Sequence, residues 1–333
     1  MKLSPARSPD RRGFTLIELL VVITIIALLV ALLSAAVMRA LRLGKVTANK
    51  HDIDQLSTAV VNFTTSNKVD YIPSRIHLSE NCVYNLTNPT GPNYQLDVDS
   101  VAFLSRLWPR ANFQPGNGNW YDWNGDGQDA IDLQKGEFYL EGDQCLVFFL
   151  GGIPSKVNGV FGTTGFSAVP RDPTYHTSWQ AKGGSGPGNV IPPVFEFDSN
   201  RLADLAHQSS NNQNIGFCSY LDAYKKQPYA YFSSYNKSYN RYYNPNTNPA
   251  SDCISLGIWP YAEALRTASS AFPDLKYIKP SGFQIISAGP DKLFGPGTSP
   301  NGPFWSAGTA DNYPAPGSDD QASFHPSELG SSS

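Results

Sequence analysis

The sequence predicts an α+β fold in which a long N-terminal helix packs on an antiparallel β-sheet that carries large loop insertions. No proline occurs between Pro9 and Pro73, so nothing interrupts a helix over this stretch. That stretch is apolar first and amphipathic afterwards. The chain of 333 residues contains 28 glycines and 26 prolines, and helical patterning is scarce after residue 70. This composition favours short strands and loops over a helix bundle.

The first two segments are a leader and an apolar helix. Residues 1–13 form a basic leader, and residues 14–38 are almost wholly apolar with Glu18 as their single charge. About 25 residues at roughly 1.5 Å each give about 38 Å, which exceeds the roughly 30 Å of a bilayer core. A carboxylate at that depth costs about 2.5–3.5 kcal/mol, so Glu18 needs a partner.

The junction reads Arg11-Arg12-Gly13-Phe14-Thr15-Leu16-Ile17-Glu18. It closely resembles the prepilin signature of type IV pilins and type II secretion pseudopilins. The resemblance implies a type IV pilin-like fold, cleavage after Gly13 by prepilin peptidase, N-methylation of Phe14, and Glu18 as the carboxylate used in filament assembly. It also implies an inner-membrane protein with a single pass and a periplasmic C-terminal domain. The implied partners are other pilin or pseudopilin subunits and, indirectly, a secretion platform and its ATPase.

Two simpler interpretations explain less of this junction. A secretory signal peptide has a shorter apolar core and a small-residue cleavage site on its far side. A plain signal anchor explains the length of the apolar run but not the residue order that ends in Glu18. Physical reasoning supports the assembly role, because cleavage creates a positive amine at Phe14 that a staggered neighbouring subunit can offer to Glu18. Such a buried pair adds little net stability but penalises wrong registers.

Residues 39–68 are an amphipathic continuation of the helix. Ile53, Leu56, Val60 and Phe63 recur at spacings of three and four and form one apolar stripe. We therefore expect a helix from about residue 14 to residue 67. Many members of the resembled family carry a proline about twenty residues into the mature helix, where this chain has Ala35, so the usual kink is not implied.

Residues 69–333 are predicted to form an exported, β-rich globular domain. One short helix is expected from Val98 to Trp108. Gly136 to Ile153 is the best strand candidate, although residues 146–150 are equally compatible with a short buried helix. Tyr229, Tyr231 and Tyr235 alternate like a strand with an aromatic face, which either stacks on a glycan or exported substrate or covers a sheet.

An acidic loop in this domain begins like an EF-hand. Its alternating oxygen-bearing residues are followed by Gly127, which supplies the sharp turn. The twelfth-position acid is missing, because Leu133 stands there. The alternatives are calcium binding and a metal-free surface turn. The candidate ligands are Asp122, Asn124, Asp126 and Gln128.

The C-terminal part carries a second resemblance. A predicted strand from Gly282 ends in Ser287-Ala-Gly-Pro-Asp291 and runs into a Gly/Asp loop over 287–325. This is similar to the end of the major type II secretion pseudopilins, whose acidic loop binds calcium. The resemblance implies calcium here, since a hard cation can order a long polar loop. Its candidate ligands are Asp291, Asp311, Asp319 and Asp320.

The remaining chemistry-bearing residues exclude several function classes. The four cysteines are far apart and form no metal-ligand spacing, so they are either buried thiols or up to two disulfides. The five histidines show neither metal nor triad spacing, which argues against an enzyme. The net charge of −3 and the lack of a basic tract argue against nucleic acid binding. The cysteines are Cys82, Cys145, Cys218 and Cys253.

The sequence thus predicts a structural subunit of a type II secretion pseudopilus, assembled into a helical fibre that promotes protein export. A minor or adhesive type IV pilin, whose enlarged domain binds a ligand or surface, is the alternative. A membrane-anchored hydrolase would need a catalytic cluster that the sequence does not reveal.

Overall fold

The computed structural model describes residues 14–91, 93–128, 136–210, 216–235, 239–240, 242, 251–265, 275–295 and 317–330. The chain divides into two compact units, and the boundary lies between Thr47 and Ala48. Helix α1 (Leu16–Asn67) confirms the predicted N-terminal helix. In the first unit every large apolar side chain from Leu16 to Leu43 is exposed. By length and composition, α1 contains one segment that can cross a membrane.

In the second unit, α1 buries the predicted stripe. Phe63 meets Phe149 with ring centroids 6.0 Å apart. Asn49 lies on the same face and is fully buried, and its side-chain N–H donates to Gln321 Oε1 at 2.7 Å. The Tyr229 hydroxyl donates to Asn49 Oδ1 at 2.7 Å. The helix is therefore held in the globular unit both by apolar packing and by satisfied buried polar groups. The buried face comprises Asn49, Ile53, Leu56, Ala59, Val60 and Phe63.

Three further helices lie in the described residues of this unit, and the first, α2 (Tyr94–Leu107), confirms the short helix that was predicted from Val98. The second is α3 (Gly142–Gly151), and the third is the single-turn α4 (Tyr175–Ser178). Short 3₁₀ turns occupy Ser199–Arg201, Gln208–Ser210, Ile254–Leu256 and Gly317–Asp319.

The strands form small antiparallel sheets, and together with α1 they confirm the predicted α+β arrangement, which is consistent with a pilin-like fold. The described residues contain five two-stranded sheets and one three-stranded sheet of order β13-β12-β9. In the latter, Ile286 pairs with Ala230 on one side and with Ala322 on the other. The strands are β1 (Ile76–Ser79), β2 (Glu137–Leu140), β3 (Pro154–Val157), β4 (Val160–Thr163), β5 (Phe166–Ser167), β6 (Val190–Ile191), β7 (Leu202–Ala203), β8 (Ser219–Tyr220), β9 (Ala230–Ser233), β10 (Ala262–Leu265), β11 (Leu275–Tyr277), β12 (Phe283–Ser287) and β13 (Gln321–Ala322).

The region from Gly136 to Ile153 corrects the strand prediction. Only β2 at its start is extended, and the apolar run that follows is helix α3. A capping box begins α3, because the side chains of Glu141 and Gln144 each accept a backbone N–H of the other residue. All ten residues of α3 are buried, and a helix buried on every side has no polar face to reveal its period.

The tyrosine segment is part of the core. Tyr229 is 1% exposed and Tyr231 is fully buried. Ala230 and Phe232 between them are also fully buried, so both faces of β9 are covered. The prediction of an aromatic surface for glycans or substrates is therefore wrong for these residues, and the tyrosines cover a sheet. Tyr235 is half-buried against Tyr71.

Candidate functional sites

The start of α1 is a capping box formed by Thr15 and Glu18. The backbone N–H and the hydroxyl of Thr15 both donate to Glu18 Oε2, at 2.8 Å and 2.7 Å. The Glu18 backbone N–H lies 3.3 Å from Thr15 Oγ1, its acceptor. Residues in the order Thr-x-x-Glu make these reciprocal bonds because the first N–H groups of a helix have no partner within it.

This geometry places a carboxylate three residues inside the helix on an otherwise apolar stretch. Its negative charge also complements the positive end of the helix dipole. Phe14, just before the cap, is 75% exposed. The predicted cleavage residue Gly13 lies outside the described residues. Glu18 thus has a local structural role at the helix start, which sequence reasoning missed although the Thr-x-x-Glu order signals it.

The C-terminal acidic residues form a cluster beside the end of β12. Gly289 adopts φ +68°, and a Cβ atom there would collide with the backbone carbonyl of Asp319. Glycine therefore lets the turn after β12 approach the Gly317–Asp319 turn closely. The Asp291 backbone N–H donates to Asp319 Oδ2 at 3.0 Å. The structure brings together Asp291, Asp319 and Asp320 of the predicted set, and Asp311 lies outside the described residues.

Asp320 is the buried member of this cluster. Its Oδ2 accepts the Tyr261 hydroxyl at 2.7 Å and the Gly295 N–H at 3.0 Å. Its Oδ1 is buried and has no hydrogen-bond partner among the described residues. Burial raises the pKa of Asp320 well above its usual range, and the nearby charges of Asp319 and Asp291 raise it further. An oxygen-binding cation at this place would relieve the repulsion and use the free oxygen.

The second predicted loop folds into a compact turn. The Asp126 N–H donates to Asn124 Oδ1 at 3.0 Å, and the Gln128 N–H donates to Asp126 Oδ1 at 2.8 Å. The Gly127 N–H donates to Asp122 Oδ2 at 3.1 Å. All four predicted ligand residues therefore belong to one local network, whereas residues 129–135, including Leu133, are outside the described part of the chain.

A family model matches residues 8–34, which include the capping box and the apolar helix. Its description is prokaryotic N-terminal methylation motif. The chain carries this motif. The methylation motif is the signature of type IV pilin-like proteins, and it implies processing by a prepilin peptidase and assembly with pilin-type subunits.

The comparisons with whole proteins add nothing to the methylation motif. Neither the curated proteins nor the solved structures contain a match to this chain. The motif together with the single apolar N-terminal helix is consistent with an inner-membrane anchor, and it points to a structural subunit rather than an enzyme.

Two buried histidine clusters were missed by sequence reasoning. His77 Nδ1 lies 2.7 Å from Asp97 Oδ1, and its Nε2 lies 2.6 Å from Glu137 Oε2. Burial is the largest single effect on the His77 pKa and lowers it, but the two carboxylates together outweigh burial and raise the pKa. The His77 side chain is only 1% exposed, so it has no access to a substrate. The ion pairs span up to 60 positions, which no local pattern reveals.

The second cluster surrounds His207. Its Nε2 lies 2.9 Å from Asp143 Oδ2, and its Nδ1 lies 2.8 Å from the Leu205 carbonyl oxygen. Asp143 and Glu141 are fully or almost fully buried beside it. The three side chains place their ligand atoms within 4.8 Å of one another. Glu141 already accepts N–H and hydroxyl donors from Ser209 and Ser255. Asp143 Oδ2 also accepts the Ser219 hydroxyl at 2.6 Å, whereas Asp143 Oδ1 is buried and has no hydrogen-bond partner among the described residues.

The four cysteines are free and buried. Burial raises the pKa of Cys82 to about 11 and that of Cys218 to about 12. It raises the thiol pKa of Cys145 and Cys253 well above the ordinary value as well. The open question between disulfides and buried thiols is thus answered in favour of thiols, which behave as small apolar groups.

Proposed function

We propose that this chain is a structural subunit of a type II secretion pseudopilus, assembled into a fibre that promotes protein export. The observation that carries the proposal is the capping box at the processing junction. Removal of the leader leaves Phe14 as a cationic N-terminus, one residue before the cap. In the fibre, the Phe14 amine of one subunit then pairs with the Glu18 carboxylate of its neighbour. This pairing replaces the hydration of the charged carboxylate, which the apolar surroundings cannot provide.

The C-terminal acidic cluster supports the secretion assignment. Asp291, Asp319 and Asp320 supply carboxylate oxygens, and Asp320 Oδ1 has no described partner. Oxygen-only donors suit calcium, which takes six to eight oxygen ligands. In this proposal calcium holds the turn after β12 against the Gly317–Asp319 turn. Asp311 remains a predicted ligand.

The adhesive alternative rests on the size of the domain and on its tyrosine-rich segment, and the burial of Tyr229 and Tyr231 weakens the second of these supports. The enlarged domain alone does not indicate a ligand. The two roles differ in phenotype, because loss of a secretion pseudopilin abolishes export of particular proteins into the medium. Loss of an adhesive pilin leaves export unchanged and reduces surface attachment.

The first test is the intact mass and N-terminal sequence of the protein from its native membrane. We expect a chain that begins at Phe14 and carries one added methyl group. A chain that retains Met1, in cells with active prepilin peptidase, would reject processing and therefore the fibre proposal.

The second test separates the two roles of Glu18. Glutamine fits a capping box as well as glutamate does, so Glu18→Gln keeps the cap and removes the charge. We expect Glu18→Gln to be cleaved and to remain in the membrane but to be missing from sheared fibres. Glu18→Asp, which keeps the charge on a shorter side chain, is the matched control. Normal incorporation of Glu18→Gln would contradict charge pairing as the basis of assembly.

A further inference from the structure

Asp122 is a buried carboxylate with an oxygen that lacks a partner. The residue is fully buried, and its Oδ1 makes no hydrogen bond within the described part of the chain. The nearby Thr177 hydroxyl has one proton, which it donates to the Thr174 carbonyl at 2.8 Å. A buried carboxylate is costly unless it is paired or coordinates a metal ion. A cation bound at Asp122 Oδ1 would offset the cost of burying this carboxylate.

The neighbouring polar side chains belong to the same hydrogen-bonded turn. The Asn124 side-chain N–H donates to Asp126 Oδ2 at 3.0 Å, so these two side chains converge. Gly125 and Gly127 both adopt φ +73°, and a Cβ atom at Gly125 would collide with the Pro154 carbonyl. The backbone therefore fixes a tight turn whose acidic and amide side chains stand at positions one, three and five, with glycine at six.

Bound calcium would supply positive charge between the carboxylates of Asp122 and Asp126. Magnesium suits the turn less well, because it demands near-ideal octahedral geometry and gives up its water reluctantly.

We propose that the Asp122–Gln128 turn binds calcium independently of the C-terminal acidic cluster. The ligands are Asp122 Oδ1, Asn124 Oδ1, a carboxylate oxygen of Asp126 and the backbone carbonyl of Gln128, and water completes the shell. Trp123 lies within the turn and is fully buried, and its indole N–H donates to the Ser79 carbonyl at 3.1 Å. Calcium in this turn would therefore stabilise the aromatic core as well as the loop.

Terbium luminescence tests this site on the full-length protein in detergent after chelation. Terbium replaces calcium among oxygen ligands, and Trp123 lies close enough to sensitise its emission. We expect a saturable signal that calcium displaces and magnesium does not. Asp122→Asn should weaken terbium binding by about tenfold or more, because it removes a charged ligand. Asp320→Asn, in the other acidic cluster, is the matched control and should leave this component of the signal unchanged.

Stability separates loss of binding from loss of folding. In chelator, Asp122→Asn should unfold at the same or a higher temperature than the wild type, because it removes an uncompensated buried charge. In the presence of calcium the wild type should have the higher melting temperature, because calcium binding stabilises the folded wild type and not the variant. A wild type whose melting temperature and luminescence ignore calcium would overturn the inference, as would binding that Asp320→Asn alone abolishes. If Asp122→Asn unfolds first in chelator, Asp126→Asn replaces it, and unchanged terbium affinity in that variant would also overturn the site.

Discussion

The buried pair between His207 and Asp143 makes a quantitative prediction about stability and pH. Both ring nitrogens of His207 face acceptors, so the folded state binds the imidazolium form. Burial is the largest single effect on the His207 pKa and lowers it. The hydrogen bond and charge of Asp143, with the charge of Glu141, outweigh burial and raise the pKa to about 9.

The magnitude follows from proton linkage. An unfolded histidine titrates near ~6.5, and each pKa unit is worth about 1.36 kcal/mol. A shift from about 6.5 to about 9 therefore contributes roughly 3 kcal/mol to the free energy of unfolding. Because the folded pKa is the higher one, this stability is fully present below pH ~6.5 and is lost as the pH rises through about 9.

Urea unfolding of the full-length protein in detergent, measured between about pH 6 and pH 10, tests this prediction. The wild type should lose roughly 3 kcal/mol more across the range than His207→Gln does. His77 changes the free energy of unfolding with pH in the same direction in both proteins, so its contribution cancels when the two are subtracted. His51→Gln, at an exposed position of α1, is the control and should follow the wild type.

The reasoning would be refuted by equal pH slopes for the wild type and His207→Gln. If His207→Gln is too unstable to purify, Asp143→Asn provides the same comparison, because it removes the carboxylate that holds the proton. Loss of one partner of a buried pair costs about 3–5 kcal/mol at low pH.

Four further outcomes follow from the packing. Gly142→Ala should destabilise the protein by about 1–3 kcal/mol, because its Cβ would collide with the Tyr231 carbonyl and lie 2.8 Å from Cys253 Sγ. Gly44→Ala, with nothing within 4 Å, should instead stabilise α1 by about 0.5–1 kcal/mol, and urea midpoints of both variants check this. Asn49→Ala should cost about 1–3 kcal/mol, measured in the same way, because it removes the buried hydrogen bonds that Asn49 makes with the Tyr229 hydroxyl and with Gln321 Oε1. Iodoacetamide at pH 8 should modify none of the four cysteines in the native protein and all four in urea, as mass spectrometry would show, and early native modification would contradict their burial.

Sequence reasoning succeeded where one local pattern decides the structure. The spacing of Ile53, Leu56, Val60 and Phe63 predicted the buried face of α1, and the residue order around Phe14 predicted the methylation motif. For residues 146–150 the helix alternative is the correct one, and the sequence could not decide it because every residue of α3 is buried, so no period distinguishes helix from strand. Its capping box joins Glu141 and Gln144, and glutamate is not among the usual N-cap residues that indicate a helix start.

The buried histidine clusters depend on tertiary contacts. Nothing near His77 in the sequence announces Glu137, and nothing near His207 announces Asp143. The conformation of the loops also depends on tertiary contacts. The sequence predicts that Gly289 lies in a turn, but it does not predict the close approach of Gly289 to Asp319. The calcium ligands remain predictions, of which Asp320 and Asp122 have the free oxygens that make them worth testing.

The exposed apolar half of α1 has an energetic consequence for the proposed fibre. Lipid tails solvate leucine and isoleucine about as well as the side chains of a neighbouring helix do. Transfer of residues 16–43 from the bilayer to a bundle of identical helices therefore yields little hydrophobic free energy. Work done by the assembly machinery would have to supply the extraction, and the few polar atoms at Thr15 and Glu18 would have to determine where each subunit stops.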